Sequence, residues 1–267
     1  MIREPQNAAL CDTPSTRTVP HRICRPQQTR RGIVVGYQNK ELQDNKQALS
    51  CGFVSIGAET PGIYVSQIQV QYDGTCGGDI CIEKLNDAGV TTETYWWFCN
   101  VRGKEDGWYN DEEQLIGSDD EDIGTPDILI PAGEGLWVTG LEDGVMPFAG
   151  EVFEADKSIP LADNKQMLAN PYPCDLPLSA NIYVEYDGTC GGDICIEKLN
   201  DAGVTTETYW WFCNVRGKED GWYNDEEQLI GSDDEDIGTP EIVFPASTGL
   251  WVTGLEDATF QITSPLK

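Results

Sequence analysis

The stretch Tyr72–Pro126, YDGTCGGDICIEKLNDAGVTTETYWWFCNVRGKEDGWYNDEEQLIGSDDEDIGTP, occurs a second time, without a single change, as Tyr186–Pro240. These 55 residues recur at an offset of 114, which marks a tandem duplication and reduces the fold question to that of one unit. The likeness runs outward from the block. DILIPAGEGLWVTGLED (Asp127–Asp143) answers EIVFPASTGLWVTGLED (Glu241–Asp257). Upstream, DNKQAL (Asp44–Leu49) answers DNKQML (Asp163–Leu168), now at an offset of 119. The units therefore run over residues 32–150 and 151–267, each of ordinary domain size.

Within a unit the pattern is β. Ile68, Val70 and Tyr72 alternate with polar residues, as do Ile182, Val184 and Tyr186, which suits half-buried strands. Ile80–Leu85 and Thr91–Val101 flank Asn86–Gly89, whose Gly suits a hairpin turn. Asp127–Ile130 and Leu136–Leu141 read as strands around a Pro131-Ala-Gly turn, and Val145–Phe153 as another. Only Glu112–Ile116 suggests one short turn of helix. Short strands punctuated by turn signals predict an all-β protein of two tandem β-sandwich-like or small-barrel domains.

The chain of 267 residues holds 46 acidic and 17 basic side chains, a net charge of −29. The duplicated block alone has 14 acidic and three basic residues, so most of the charge belongs to the unit. Such a balance offers no Lys/Arg patch for nucleic acid or anionic lipid. No apolar run is long enough for a membrane-spanning helix. Residues 1–31 differ: six arginines, four prolines and no apolar periodicity predict a disordered basic tail. The tail lacks the apolar core of a signal peptide.

The order of motifs resembles a group of uncharacterised secreted bacterial β-repeat proteins. The residues that carry the likeness are VVGY (Val34–Tyr37), IQV (Ile68–Val70), GWYN (Gly107–Asn110), PAGEGLWV (Pro131–Val138), FAGEV (Phe148–Val152) and LANPYP (Leu168–Pro173). The resemblance spans nearly everything after residue 31 and implies an extracellular or cell-surface location. Members normally carry a signal peptide before the VGY motif, where this chain has its basic tail. No activity comes with the likeness.

Of the ten cysteines, each unit holds four: Cys51, Cys76, Cys81 and Cys99 in the first, Cys174, Cys190, Cys195 and Cys213 in the second. Cys11 and Cys24 lie in the tail. Even counts per unit suit two disulfides each, with three pairings open, in an oxidising compartment. The alternative is Zn²⁺ or an iron–sulfur cluster, although the spacing lacks the paired CxxC of zinc ribbons.

Two acidic loops recur, and both have the oxygen-rich chemistry that Ca²⁺ prefers. The candidate ligands are Asp111, Glu112, Glu113, Asp119, Asp120, Glu121 and Asp122, with Asp225, Glu226, Glu227, Asp233, Asp234, Glu235 and Asp236 in the second unit. The EF-hand template does not fit, and the plain alternative is a solvated acidic surface that keeps the protein soluble. Trp96 and Trp97 must face opposite sides of a strand, so one of them is core. An exposed tryptophan stacks well on sugar, which makes Trp97, Trp108, Trp211 and Trp222 candidate glycan contacts, against the alternative that these rings fill the core. The one histidine, His21, sits in the tail, and GxSxG, P-loop and HExxH motifs are absent. The expectation is a non-catalytic surface protein, structural or adhesive, assembling with itself head to tail. The alternative is a pair of carbohydrate-binding modules.

Overall fold

The computed structural model describes residues 27–28, 34–50, 52–56, 59–86, 89–120, 124–200, 203–232, 238–246 and 248–267. It is all-β, and its sheets fall into two matching sets. In the first unit a seven-stranded sheet runs, in spatial order, Gly124–Thr125, Leu115–Ile116, Gly107–Tyr109, Thr91–Cys99, Cys76–Leu85, Leu136–Thr139 and Lys46–Leu49. Val145–Val152 pairs with Val34–Glu41 and Phe53–Val54 in a second sheet. Phe53 and Phe148 of that sheet share one core with Ile80, Ile82, Trp97 and Trp108 of the larger sheet. This is sandwich packing, sheet face on sheet face.

The second unit repeats the plan. Its seven-stranded sheet has the same order, and Thr259–Ile262 sits between Lys157–Pro160 and Ile182–Glu185 in the facing sheet. Phe260 packs edge-on against Trp222, with ring centroids 6.3 Å apart. The seam between the sheet sets falls between Val152 and Lys157.

The duplicated hairpin is the longest ladder of each unit. Cys76 lies opposite Cys99 and Leu85 opposite Thr91, and the same pairing recurs at Cys190–Cys213 and Leu199–Thr205. Asn86 closes the turn: its backbone N–H donates to Val90 O (2.9 Å) and its side-chain oxygen accepts from Val90 N–H (3.0 Å). Gly89 has φ of +70°, the left-handed region that glycine occupies without a Cβ penalty.

Two local expectations change and one is refined. Glu112–Ile116 is not helical, because Asn110 Oδ1 accepts from the N–H groups of Glu112 (3.0 Å) and Gln114 (2.9 Å). That side chain fixes a tight turn, and Leu115–Ile116 leaves it as a strand. Leu129–Pro131 and Leu136–Thr139 are the two strands expected around the Pro131 turn, but they belong to different sheets. The first pairs with Gly62–Tyr64 and the second enters the large sheet, so the Pro131 turn changes sheets. Gln27–Gln28, in the segment expected to be disordered, pair with Val35 and Val34, so strand structure begins before residue 32.

Candidate functional site

Alternation along Thr91–Cys99 sorts the aromatic residues of the site. Tyr95, Trp97 and Cys99 face the core, while Trp96 and Phe98 face outward and remain half-buried. Trp97 therefore lies 3% exposed against Trp108, itself 1% exposed, and Trp211 and Trp222 repeat the contact. The four tryptophans proposed for sugar stacking are core residues, at most 7% exposed. The strand has apolar side chains on both faces, so its composition could not say which parity turned inward. Trp108 Nε1 donates to Ile68 O at 2.5 Å and Trp222 Nε1 to Ile182 O at 2.7 Å. Trp97 Nε1 and Trp211 Nε1 are buried with no partner among the described residues.

On the outer face Phe98 meets Tyr109 edge-on at 5.0 Å, and Lys104 Nζ sits over both rings, 4.1 Å and 4.6 Å from their centroids. The same ammonium pairs with Glu113 at 3.0 Å. Lys218, Phe212, Tyr223 and Glu227 reproduce the arrangement. Thus one carboxylate of each first acidic loop is already engaged by a lysine. Asp111, Glu112, Asp119 and Asp120 are exposed, as are Asp225 and Glu226. Glu121, Asp122 and Asp233–Asp236 lie outside the described residues, as do Cys51 and His21. Among the described residues no three His, Cys, Asp or Glu side chains converge as a metal-binding group. Beside the acidic loop, a cleft of about 270 Å³ is lined by Ser66, Gln69, Glu105, Asp106 and Ser118, with Trp97 and Trp108 contributing to its wall.

The cysteines separate by face. Cys76 and Cys99 are buried together at the open end of the hairpin, and Cys190 and Cys213 repeat them. Burial, followed by the neighbouring thiol, pushes Cys76 and Cys190 up to about 12. Cys81 and Cys195 lie on the outer face opposite Trp96 and Trp210, and burial raises them too, against the opposing hydrogen bonds of Thr139 and Thr253. Cys174 is partly buried, and its carbonyl accepts from Asn170 Nδ2 at 2.8 Å.

The two units meet in a reciprocal contact that sequence reading missed. Leu49 bridges to Thr248 and Leu168 bridges to Glu134, and these are equivalent pairs. Gly135 N–H donates to Met167 O (3.1 Å) and Ala169 N–H to Gly133 O (3.0 Å). A Cβ on Gly89 would lie 2.8 Å from Trp251 Cη2, and one on Gly203 would lie 2.9 Å from Trp137 Cη2. The bridges and the glycine–tryptophan approaches thus come in mirrored pairs, the signature of a two-fold, isologous interface. The sequence signal was present in Gly135 and Gly249, whose missing side chains admit Met167 and Ala48, but a glycine beside a turn reads as turn chemistry.

Neither a protein-family model, nor a curated protein, nor a solved structure matches this chain.

Proposed function

We propose that this chain is a non-catalytic extracellular or cell-surface protein, structural or adhesive, that holds two copies of one acidic face in a fixed relation. The reciprocal contact between the units carries the reading. A duplicated surface held in one orientation gains avidity without any new contact, provided a partner can span both copies. The acidic loops flanking Asp111 and Asp225 are exposed in both units, and their charge keeps such a surface soluble. Chain-to-chain assembly would need faces other than the one that joins the units, because an isologous contact closes on itself.

The test is adhesion of beads coated with the intact chain, to each other and to polysaccharide surfaces, with and without Ca²⁺. Adhesion should weaken when Asp111, Glu112, Asp225 and Glu226 become Asn or Gln. Turnover of a polysaccharide, abolished by one carboxylate substitution, would overturn the non-catalytic reading.

A glycan-binding reading keeps one physical basis, the half-buried Trp96 and Trp210 on the outer face. Stacking on sugar requires an accessible ring face; Trp96 and Trp210 are partly exposed, whereas Trp97 is buried. Binding on a glycan array, lost in the Trp96→Ala, Trp210→Ala double variant, supports it; silence across a broad array overturns it.

A further inference from the structure

We infer that Cys76 with Cys99, and Cys190 with Cys213, are redox partners that close as cross-strand disulfides at the open end of each duplicated hairpin. Three observations carry the pairing. The members of each pair stand directly opposite one another in the antiparallel ladder. Cys213 Sγ lies 3.1 Å from Cys190 Sγ, a thiol–thiol contact inside the core. The same end of the hairpin is clamped in both units: Asn100 Nδ2 donates to Gly74 O and Asn214 Nδ2 to Gly188 O, each at 2.8 Å, with Asn100 and Asn214 at φ of +55° and +54°. The clamp keeps the two strand ends together, so bond formation asks for little backbone movement. Directly opposed cysteines in neighbouring strands also fall within the Cα separation a disulfide spans.

Cys81 and Cys195 stand apart from these pairs. Cys81, an odd five residues on from Cys76, alternates to the outer face, opposite Trp96, and Cys195 follows it in the second unit. Within GTCGGDIC, then, only the first cysteine reaches a partner across the hairpin.

The oxidant is a small disulfide such as oxidised glutathione. One protein thiolate attacks it, forming a mixed disulfide and releasing one glutathione thiolate. The second cysteine then attacks the protein sulfur, releasing the other glutathione; two protein thiols lose two hydrogens, and one glutathione disulfide becomes two thiols. Burial disfavours the thiolates of Cys76 and Cys190 in the folded hairpin, so attack on the oxidant precedes closure of the core, and the clamped ladder then brings the second cysteine onto the mixed disulfide.

The intact chain is reduced, unfolded and refolded with a glutathione redox couple. Remaining thiols are then alkylated, and tryptic peptides are fragmented without reduction. The bond should fall on the first cysteine of GTCGGDIC joined to that of WWFCN; a bond to the second cysteine, or free thiols at the first, overturns the pairing. Because the peptides bearing Cys99 and Cys213 are identical, variants assign the units. Cys76→Ser with Cys99→Ser should remove one bond per chain, and Cys76→Ser with Cys190→Ser should remove two. Loss of two bonds in the first variant would mean that pairing crosses the units, and would overturn the assignment.

Discussion

Trp137 and Trp251 occupy equivalent positions in the two units and meet each other edge to face, ring centroids 6.0 Å apart at 69°. A residue that meets its own counterpart marks the axis of the pseudo-two-fold. Each indole also reaches across to the partner unit's hairpin glycine, Trp137 to Gly203 and Trp251 to Gly89. A Cβ at Gly89 faces both the indole and a left-handed backbone, so Gly89→Ala should cost about 1–3 kcal/mol. Combined with Trp251→Ala the steric part disappears, and the two effects should sum to less than their separate values. A double-mutant cycle by urea denaturation reads this coupling; strict additivity would rule the contact out.

The paired core tryptophans differ in one hydrogen bond. Trp108→Phe deletes the donor to Ile68 O and leaves that buried carbonyl unpaired, whereas Trp97→Phe removes an indole N–H that has no partner among the described residues. Both lose similar volume. Trp108→Phe should therefore be the costlier by about 1–2 kcal/mol, visible as a lower Tm than that of Trp97→Phe. Equal Tm values would contradict the assigned bond.

Lys104 bridges an aromatic pair and the exposed carboxylate of Glu113. The ion pair is worth little in water, while the ammonium over two half-covered rings is screened less. Replacing Lys104 by Met should cost about 1 kcal/mol, and Glu113→Gln only a few tenths of that. High salt should erase the Glu113 effect first. Denaturation at two ionic strengths separates the two contributions.

Acid should weaken the second unit through Glu197 and Glu207. Burial opposes the charge on Glu197, but hydrogen bonds from Lys165 and Thr205 outweigh it and hold the carboxyl below its usual range. Tyr209 and Lys198 do the same for Glu207. A depressed folded-state value means that this stability is present above the unfolded carboxyl value of about 4.3 and disappears as pH falls through the folded one. Glu197→Gln should flatten the pH dependence of Tm below about pH 4.5. An unchanged acid slope would show that Glu197 carries none of it.

The duplication, the all-β class and the Asn86–Gly89 hairpin were legible because identity, alternation and turn chemistry are local signals. The inward parity of Trp97 was not, since Trp96 and Phe98 are equally apolar and the deciding contact, Trp108, comes from the next strand. Nor could spacing name the partner of Cys76, because it is the register of the hairpin that brings Cys99 opposite it. The seam between units was hidden for a third reason. Part of it is made by backbone groups of Gly133, Gly135, Met167 and Ala169, and backbone contacts leave little mark on composition.

The identity of the two hairpins also poses a problem of fidelity during folding. Strand Cys76–Leu85 finds the same sequence in Thr205–Cys213 as in its proper partner, Thr91–Cys99, so side-chain chemistry cannot tell the right mate from the wrong one. What discriminates is chain length. The correct closure spans about 5 residues and the exchanged one about 119, a difference in loop entropy on the order of 3 kcal/mol. Native pairing is thus chosen by proximity along the chain. In a chain emerging from the ribosome the choice is firmer still: the first hairpin can close before its duplicate has been made.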